Sequence, residues 1–326
     1  MSKPSIYITR LIPQENIDAL RNQFDVEVNM EDRALSPTEL KDKVRGRSAV
    51  VSLLTDNITS EVLDAAGSQC KIIANYAVGY NNFDIAAATQ RKIILTNTPG
   101  VLDDATATHT FTLLLAVARR IAESDKFVRS GKWQGWAPMF FVGLDVDRRT
   151  LGIAGLGRIG KNVARKARGF DMRIIYNDVQ RDLAFEAESG AEFVDKDTLL
   201  RQSDFLTLHV PLIPETRHYI GSAEFKKMKR TAVLINASRG PVVDEKALVE
   251  ALREKLIFGA GLDVFENEPA LEPGLIDLDN VIIVPHIASA TPATRISMGN
   301  IVVANISNVL NGLAPETCVN PDVLKN

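Results

Sequence analysis

The stretch that decides the fold is Thr150-Leu-Gly-Ile-Ala-Gly-Leu-Gly-Arg-Ile-Gly160, in which a short apolar run leads into the glycine pattern GxGxxG. The run at 150–154 has the length and composition of a buried parallel strand, and the apolar spacing after Gly160 predicts a helix. Alone, GxGxxG is weak evidence, but between a strand and a helix it is typical of a dinucleotide-binding turn. Gly155 would then make the tight turn, Gly157 would let the backbone approach a pyrophosphate, and Gly160 would let helix and strand pack closely.

An acidic residue follows the next predicted strand. The run at 172–177 ends at Asp178, where a carboxylate can accept hydrogen bonds from the ribose hydroxyls of NAD and repel a 2′-phosphate. The sequence therefore predicts NAD as cofactor, while the nearby Arg158 and Arg181 leave the use of NADP open. The alternative is an ordinary tight turn followed by a solvated aspartate.

Strand and helix patterns alternate on both sides of this turn. Six strands are predicted between residues 150 and 285, and five between residues 5 and 96. One helical pattern runs over 103–129 and another over 291–311. Repeated strand and helix predict an α/β fold with two doubly wound parallel sheets. Because the second series is complete in itself, we expect the tail to pack on the first. The predicted arrangement is a discontinuous flavodoxin-like substrate domain, 1–102 with 290–326, into which a Rossmann NAD-binding domain, 103–289, is inserted.

Composition excludes several classes of protein. The 326 residues are 45% hydrophobic and 24% charged, with a net charge of −3, as in an ordinary globular protein. With no block of Lys and Arg, no partner among nucleic acids or anionic membranes is expected, and no run is apolar enough to span a bilayer. The N-terminus has no secretory pattern, so we expect a cytoplasmic protein, and the two cysteines lack metal-ligand spacing, so no metal is expected.

Candidate catalytic groups follow three successive predicted strands. Among the four histidines, His286 directly follows the buried run 281–285, and ligands of doubly wound sheets bind at such strand ends. Arg239 follows the strand that ends near Asn236, and Glu268 follows the strand that ends near Asp263. Each alone is most simply a polar loop residue, but their convergence beside a nicotinamide-binding turn indicates an active site.

Several of these segments resemble the signatures of the D-isomer-specific 2-hydroxyacid dehydrogenase family. They are Gly155–Gly160 with Asp178, Asn236–Gly240, Gly261–Pro269 and Pro285–Thr291. The resemblance extends from about residue 5 to the end of the chain, and the segments Ala74–Asp84, Thr98–Leu102 and Trp133–Gly143 most resemble the glyoxylate and hydroxypyruvate reductase branch. The chain departs from the commonest pattern at Asp103, Thr108, Asp171, Ser238 and Ala288.

The resemblance implies a mechanism and a set of site residues. Arg239 would hold the substrate carboxylate, His286 would give a proton to the carbonyl oxygen, and Glu268 would pair with His286. The backbone N–H groups of Val78 and Gly79 would help Arg239, with the site in a cleft between the domains. The remaining implied positions are, for the cofactor, Thr106, Arg158, Ile159, Pro211, Thr216, Ala237, Ser238, Asp263 and Ala288, and, for the substrate, Leu54, with Trp136 and Met139 contributed by the partner of a homodimer formed through the NAD-binding domain.

Three functions are weighed on this basis. The first is transfer of hydride between NADH and a small 2-ketoacid, most simply glyoxylate or hydroxypyruvate, to give the D-2-hydroxyacid. The second is a D-3-phosphoglycerate dehydrogenase, although the chain ends at Asn326 without the regulatory domain that many of those enzymes carry. The third is a corepressor-like protein that binds NADH and turns it over little.

Overall fold

The computed structural model describes residues 3–31 and 33–325. The chain forms two compact units. One runs to Leu102 and resumes at Ala290, and the other comprises Asp103–Ser289.

The first unit is built around a five-stranded parallel sheet. One of its helices begins at Pro37 because of a capping box. Ser36 accepts a hydrogen bond from the Glu39 N–H, and the Glu39 side chain accepts one from the Ser36 N–H. Its elements before residue 103 are β1 (Ser5–Ile8), α1 (Gln14–Gln23), β2 (Asp25–Val28), α2 (Pro37–Val44), β3 (Ala49–Ser52), α3 (Ser60–Ala66), β4 (Ile72–Asn75), α4 (Ile85–Gln90) and β5 (Ile94–Thr96).

The strand order of this sheet is β2-β1-β3-β4-β5, with every pair parallel. This is the flavodoxin-like order. The core on one face joins α2, α3 and α4 to the sheet through buried side chains such as Leu40, Leu63, Ala88, Ile73 and Leu95.

The second unit contains a seven-stranded parallel sheet and seven helices in its described residues. They are α5 (Asp103–Ala118), α6 (Ile121–Arg129), β6 (Thr150–Ala154), α7 (Arg158–Ala167), β7 (Arg173–Asn177), α8 (Leu183–Ser189), β8 (Glu192–Phe193), α9 (Lys196–Gln202), β9 (Phe205–Leu208), α10 (Ser222–Phe225), β10 (Val233–Asn236), α11 (Glu245–Arg253), β11 (Gly259–Leu262) and β12 (Val281–Ile283).

The strand order β12-β11-β10-β9-β6-β7-β8 places the reversal of direction between β9 and β6. It is the Rossmann order with one more strand, β12, at its edge. Helices α5 and α7 cover one face through Phe111, Leu114 and Val163, and α11 covers the other through Leu248. The prediction of an α/β protein with two doubly wound parallel sheets is confirmed.

The last long helix, α12 (Pro292–Leu310), returns to the first unit, where it packs on α1 and β4. Its N-cap is Thr291, followed by Pro292 at the first helical position. Beyond it, the N–H of Val319 donates to the carbonyl of Leu95 at 2.8 Å. The Asn320 side chain accepts the Leu95 N–H and donates to the Ile93 carbonyl, each at 2.9 Å. In the part of the chain that the structure describes, no helix has both the length and the apolar character needed to cross a membrane.

The single helical pattern expected over 103–129 is wrong in one respect, because the structure has two helices there. The break falls at Arg120, which has φ of 53° and whose guanidinium pairs with Glu123 in the first turn of α6. The carbonyl of Ala118 is used by the N–H of Leu144, which returns alongside it, instead of by a helical N–H. Local apolar spacing does not reveal such a competing donor.

The expectation of six strands in the second unit is also wrong, since β8 is a seventh. It is only two residues long and lies at the sheet edge, where Phe193 is partly exposed, so it has no apolar run to mark it. Helix α4 was likewise not expected; it is short and starts at the cap Asp84, whose side chain accepts from the Ala87 N–H.

Candidate active site

The glycine loop joins β6 to α7 at the reversal point of the seven-stranded sheet. Gly155 has φ of 91°, and a Cβ there would lie 2.8 Å from main-chain atoms of His209 and Val210. A Cβ at Gly160 would lie 2.3 Å from the Gly155 carbonyl oxygen. Both positions therefore require glycine, for conformation and for close packing respectively.

The third glycine faces open space. Gly157 is the N-cap of α7 without a side-chain hydrogen bond to the helix, and a Cβ there would meet no atom within 4 Å. No side chain therefore caps the start of α7, and the space next to Gly157 is open. Both features fit binding of the diphosphate of a dinucleotide at the helix N-terminus.

Asp178 ends β7 beside this loop. One carboxylate oxygen accepts the Leu156 N–H at 2.6 Å, and the other accepts the Val179 N–H at 2.6 Å. The carboxylate therefore holds the glycine loop by its backbone, a contact that the sequence analysis did not anticipate. It still has lone pairs to offer to ribose hydroxyls, since each oxygen can accept two hydrogen bonds.

The two arginines that left NADP open are differently placed. Arg181 forms a forked pair with Glu186, at 2.8 Å from Nε and 2.7 Å from a terminal nitrogen, and Glu186 also accepts the Tyr176 hydroxyl. Arg158 begins α7, and its charge acts against the burial that raises the pKa of Asp103. Arg181 is therefore held away from the role of a 2′-phosphate receptor by its partner.

The other cofactor positions implied by the resemblance lie in the second unit as well. Thr216 donates its hydroxyl to the Pro211 carbonyl at 2.6 Å and accepts the Ile213 N–H, so it closes the loop after β9. Thr106 is buried in α5, and Ala237 and Ser238 directly follow β10. Ile159 lies in the first turn of α7.

Glu268 and His286 form a pair at the edge of the sheet beyond β11 and β12. His286 Nδ1 lies 3.0 Å from Glu268 Oε2, and Glu268 Oε1 accepts the Phe265 N–H at 3.0 Å. Burial favours a higher pKa for the Glu268 carboxyl, but the contact with His286, the Phe265 N–H and the charge of Arg239 together hold that pKa below its usual value. Glu268 is therefore a carboxylate near neutral pH. Because a carboxylate only accepts hydrogen bonds, it favours the His286 tautomer whose proton is on Nδ1.

Arg239 follows β10 in the next loop along the sheet. Its guanidinium donates to the Ser238 carbonyl at 2.6 Å, and its own carbonyl accepts from the Asn236 side chain. Burial lowers the pKa of the Arg239 guanidinium, and the charge of Glu268 acts in the opposite direction. Guanidinium groups stay charged in proteins nonetheless, so an imidazole, a carboxylate and a buried cation share one sheet edge.

Asp263 holds the turn that carries His286. Its buried carboxylate accepts the Ile287 N–H at 2.7 Å and the Ala288 N–H at 2.9 Å, and its carbonyl accepts the His286 N–H at 2.9 Å. His286 has φ of 54°, a conformation that an L-residue adopts only where its surroundings impose it.

The remaining three histidines have other surroundings. His209 lies against the glycine loop, and burial lowers its pKa to about 4, so it is neutral near pH 7. His218 Nε2 lies 2.7 Å from Glu266 in a loop between β9 and β10. His109 lies in α5, with Nε2 3.3 Å from Asp263 Oδ1. Of the four histidines, only His286 combines a strand end with a carboxylate partner.

The substrate positions Leu54, Val78 and Gly79 lie in the first unit, at the carboxyl ends of β3 and β4. The Asn75 side chain donates to the Gly79 carbonyl at 2.8 Å, and the Asn97 side chain donates to the Val78 carbonyl at 2.8 Å. The peptide groups of this loop are therefore held by two amides that the sequence analysis missed.

Trp136 and Met139 lie in the loop between α6 and β6. Their exposed fractions are 84% and 82%, and Trp133 and Val142 in the same loop are about half exposed. Several large apolar side chains exposed in one loop are typical of a surface that another molecule covers.

The described residues contain no group of three or more His, Cys, Asp or Glu side chains placed to hold a metal ion. Both cysteines are free thiols, and burial raises the pKa of Cys70 to about 12.

Comparison with known proteins identifies related sequences and structures. The model of the D-isomer specific 2-hydroxyacid dehydrogenase, NAD binding domain, matches residues 111–288. The glyoxylate reductase of Thermococcus onnurineus is 51% identical over 99% of this chain and 97% of its own length. Two crystal structures superpose closely. One is a glyoxylate reductase from Paecilomyes thermophila, with a TM-score of 0.86 and 31% identity over 98% of this chain and 99% of that chain. The other is an NADPH-dependent glyoxylate/hydroxypyruvate reductase from Sinorhizobium meliloti in complex with NADP and malonate, with a TM-score of 0.85 and 31% identity over 98% and 97%.

Proposed function

Because this chain belongs to the D-isomer specific 2-hydroxyacid dehydrogenase family, and within it to the glyoxylate reductase branch, we propose that it reduces glyoxylate or hydroxypyruvate with NADH. The product is the corresponding 2-hydroxyacid, of D configuration where it is chiral. The observation that carries the proposal is the pair of His286 and Glu268, 3.0 Å apart, at the sheet edge that also presents Arg239.

Arg239 is assigned the substrate carboxylate. Its planar fork matches two carboxylate oxygens, and its partial burial strengthens the attraction by excluding water. The N–H groups of Val78 and Gly79 are assigned the same end of the substrate. The amides of Asn97 and Asn75 support this role, because they hold the carbonyls of that loop and so fix the plane of its peptide groups.

His286 is assigned the proton. Since Nδ1 is engaged with Glu268, Nε2 is the atom that delivers a proton to the carbonyl oxygen and takes it back in the reverse direction. When bound, NADH supplies the hydride that reduces the carbonyl carbon. The proton from Nε2 would complete the conversion of the substrate carbonyl into a hydroxyl, and Glu268 stabilises the imidazolium until its proton has left.

The cofactor is assigned to the second unit, with the diphosphate at Gly157 and the ribose at Asp178. A carboxylate at this position favours NAD over NADP. The forked pair between Arg181 and Glu186 supports the same preference, because it removes a cation that a 2′-phosphate would require. NADP remains a second cofactor at lower affinity.

Leu54, Val78 and Gly79 of the first unit are assigned to the substrate, and the cofactor is assigned to the second unit, which also supplies Arg239 and His286. We place the enzyme in the cytoplasm as a homodimer formed through the second unit. The exposed Trp136 and Met139 support the dimer, with both side chains covering the substrate site of the partner. Light scattering is expected to give about twice the chain mass of 35.8 kDa, and a single-chain mass would reject this part of the proposal.

The test of the function is consumption of NADH with glyoxylate, hydroxypyruvate, pyruvate and 3-phosphohydroxypyruvate, each repeated with NADPH. We expect the first two to be the best substrates and NADH the better cofactor. The variant His286→Ala should lose most turnover and still bind NADH. His218→Ala is the matched control, because His218 also has positive φ, of 53°, and a glutamate partner. Preference for the phosphorylated substrate would favour a phosphoglycerate dehydrogenase, and NADH binding without turnover would favour a corepressor-like protein.

A further inference from the structure

A second histidine lies against the carboxylate that holds the catalytic turn. His109 is on α5, and its Nε2 lies 3.3 Å from Oδ1 of Asp263, at ion-pair distance. This nitrogen is buried, and within the described residues it has no hydrogen-bond partner of good geometry. Nε2 therefore lies within ion-pair distance of Asp263 Oδ1 and, among the described residues, is not hydrogen-bonded to another acceptor.

Asp263 needs such a neighbour. Its side chain is fully buried, and burying an ionised carboxylate is costly unless charges or hydrogen-bond donors surround it. Oδ2 accepts the Ala288 N–H and Oδ1 accepts the Ile287 N–H, so each oxygen has one backbone donor. His109 adds a side-chain nitrogen at ion-pair distance from one of these oxygens.

The turn that Asp263 holds is the one that aims His286. The Asp263 carboxylate binds the two N–H groups that follow His286, and its carbonyl accepts the N–H of His286 itself. The three hydrogen bonds that Asp263 accepts thus hold His286 in its left-handed conformation. Displacement of the Asp263 carboxylate would change the direction of the imidazole.

We propose that His109 is a positioning residue, which fixes the Asp263 carboxylate and through it the orientation of His286. This inference rests on the proposed function, since it concerns the proton donor of that reaction. It assigns α5 a part in catalysis beyond packing: His109 reaches the catalytic turn across 154 positions of sequence from Asp263.

The variants that test the proposal are His109→Leu and His109→Gln. Leucine fills similar space without a donor, whereas the glutamine amide nitrogen can occupy the place of Nε2 and donate to Asp263. We expect His109→Leu to lower kcat for glyoxylate reduction about tenfold, the cost of loosening one buried charge-assisted contact, with KM for glyoxylate changed less than about twofold. His109→Gln should recover most of kcat. Thr112→Ala, on the exposed face of the same helix, is the control and should match the wild type.

A second readout does not depend on turnover. Amide hydrogen exchange at Ile287 and Ala288 should be faster in His109→Leu than in the wild type, and near the wild-type rate in His109→Gln, because these N–H groups bind the carboxylate that His109 fixes. If His109→Leu does not fold, His109→Asn replaces it, since asparagine is too short to reach Asp263 and should behave as leucine does.

Wild-type kcat together with wild-type amide exchange in His109→Leu, or in His109→Asn where it replaces leucine, would overturn the proposal. So would a loss of kcat that glutamine does not recover, since that points to helix packing alone. If the wild-type protein reduces neither glyoxylate nor hydroxypyruvate, the proposed function fails, whereas the exchange measurement still decides whether His109 fixes the turn.

Discussion

Glu268 makes two contacts with its two oxygens, one to Nδ1 of His286 at 3.0 Å and one to the Phe265 N–H at 3.0 Å. The hydrogen bond from the Phe265 N–H fixes the carboxylate, and the contact with Nδ1 orients the imidazole ring. The low pKa of Glu268 means that it keeps its negative charge as the pH varies about neutrality.

This relationship predicts the pH dependence of Glu268→Gln. Reduction requires the imidazolium of His286, so its rate falls as the pH rises, while oxidation rises. Glutamine keeps a hydrogen-bond partner and removes the negative charge that favours the cation. The decline of reduction should therefore move to lower pH in the variant, as measured by kcat/KM from pH 5 to 9. An unmoved profile would separate Glu268 from the proton transfer.

Arg239→Lys should lower kcat/KM for glyoxylate about a hundredfold, close to 3 kcal/mol, because lysine keeps the charge and loses the fork that binds two carboxylate oxygens. The dissociation constant of NADH should change little. Arg201→Lys, in an exposed pair with Asp197, serves as the control and should retain full activity. Full activity in Arg239→Lys would contradict the assignment.

Gly157→Ala should weaken NADH binding without destabilising the fold. The position has open space and an ordinary φ of −71°, so the added methyl strains nothing but lies where the diphosphate approaches. Loss of one charge-assisted hydrogen bond, roughly 1.5 kcal/mol, raises the dissociation constant about tenfold. Gly169→Ala also meets no atom within 4 Å and should leave both properties unchanged. Equal NADH affinity in the two variants would place the cofactor elsewhere.

Asp178→Asn and Asp178→Ala should differ in a way that separates charge from loop support. Asparagine removes the charge but can still accept the Leu156 N–H, so the preference should move toward NADPH with little loss of NADH affinity. Alanine removes both, so NADH affinity should fall as well. The ratio of kcat/KM for the two cofactors measures the first effect, and titration of NADH fluorescence measures the second. A preference that moves in neither variant would remove Asp178 from cofactor selection.

Glu186→Gln should raise NADPH use further when added to Asp178→Asn. The change weakens the forked pair and makes Arg181 available to a 2′-phosphate, while the Tyr176 hydroxyl keeps an acceptor. The double variant should exceed either single one in kcat/KM for NADPH, by at least about threefold over Asp178→Asn, or close to 0.7 kcal/mol. If kcat/KM for NADPH in the double variant does not exceed that in Asp178→Asn, Arg181 does not reach the phosphate.

Much of the fold could be predicted because its signals are local. The glycine pattern between a strand and a helix, the cap at Ser36 and the apolar runs each depend on residues close in the sequence. Where a distant group intervened, the prediction was wrong: Leu144 takes the Ala118 carbonyl and ends α5. Strand β8 escaped because two exposed edge residues leave no apolar pattern.

The candidate site shows the same division. Arg239, Glu268 and His286 could be proposed from strand ends, because parallel strands bring their carboxyl ends to one edge. The contacts around the site could not be proposed, since His109 and Asp263 meet only through the fold, as do Leu156 and Asp178 at the glycine loop. No spacing in the sequence marks such a pair.

The interrupted course of the first unit sets the order in which the chain can fold on the ribosome. The residues of the second unit are contiguous, so its core can close once Ser289 has emerged. The first unit, although its strands are made first, must wait for α12, which packs on α1, β3 and β4. Domains fold as units when their residues are available. The earliest-synthesised sheet is therefore the last to be completed, and its uncovered face is the surface on which a nascent-chain chaperone would act.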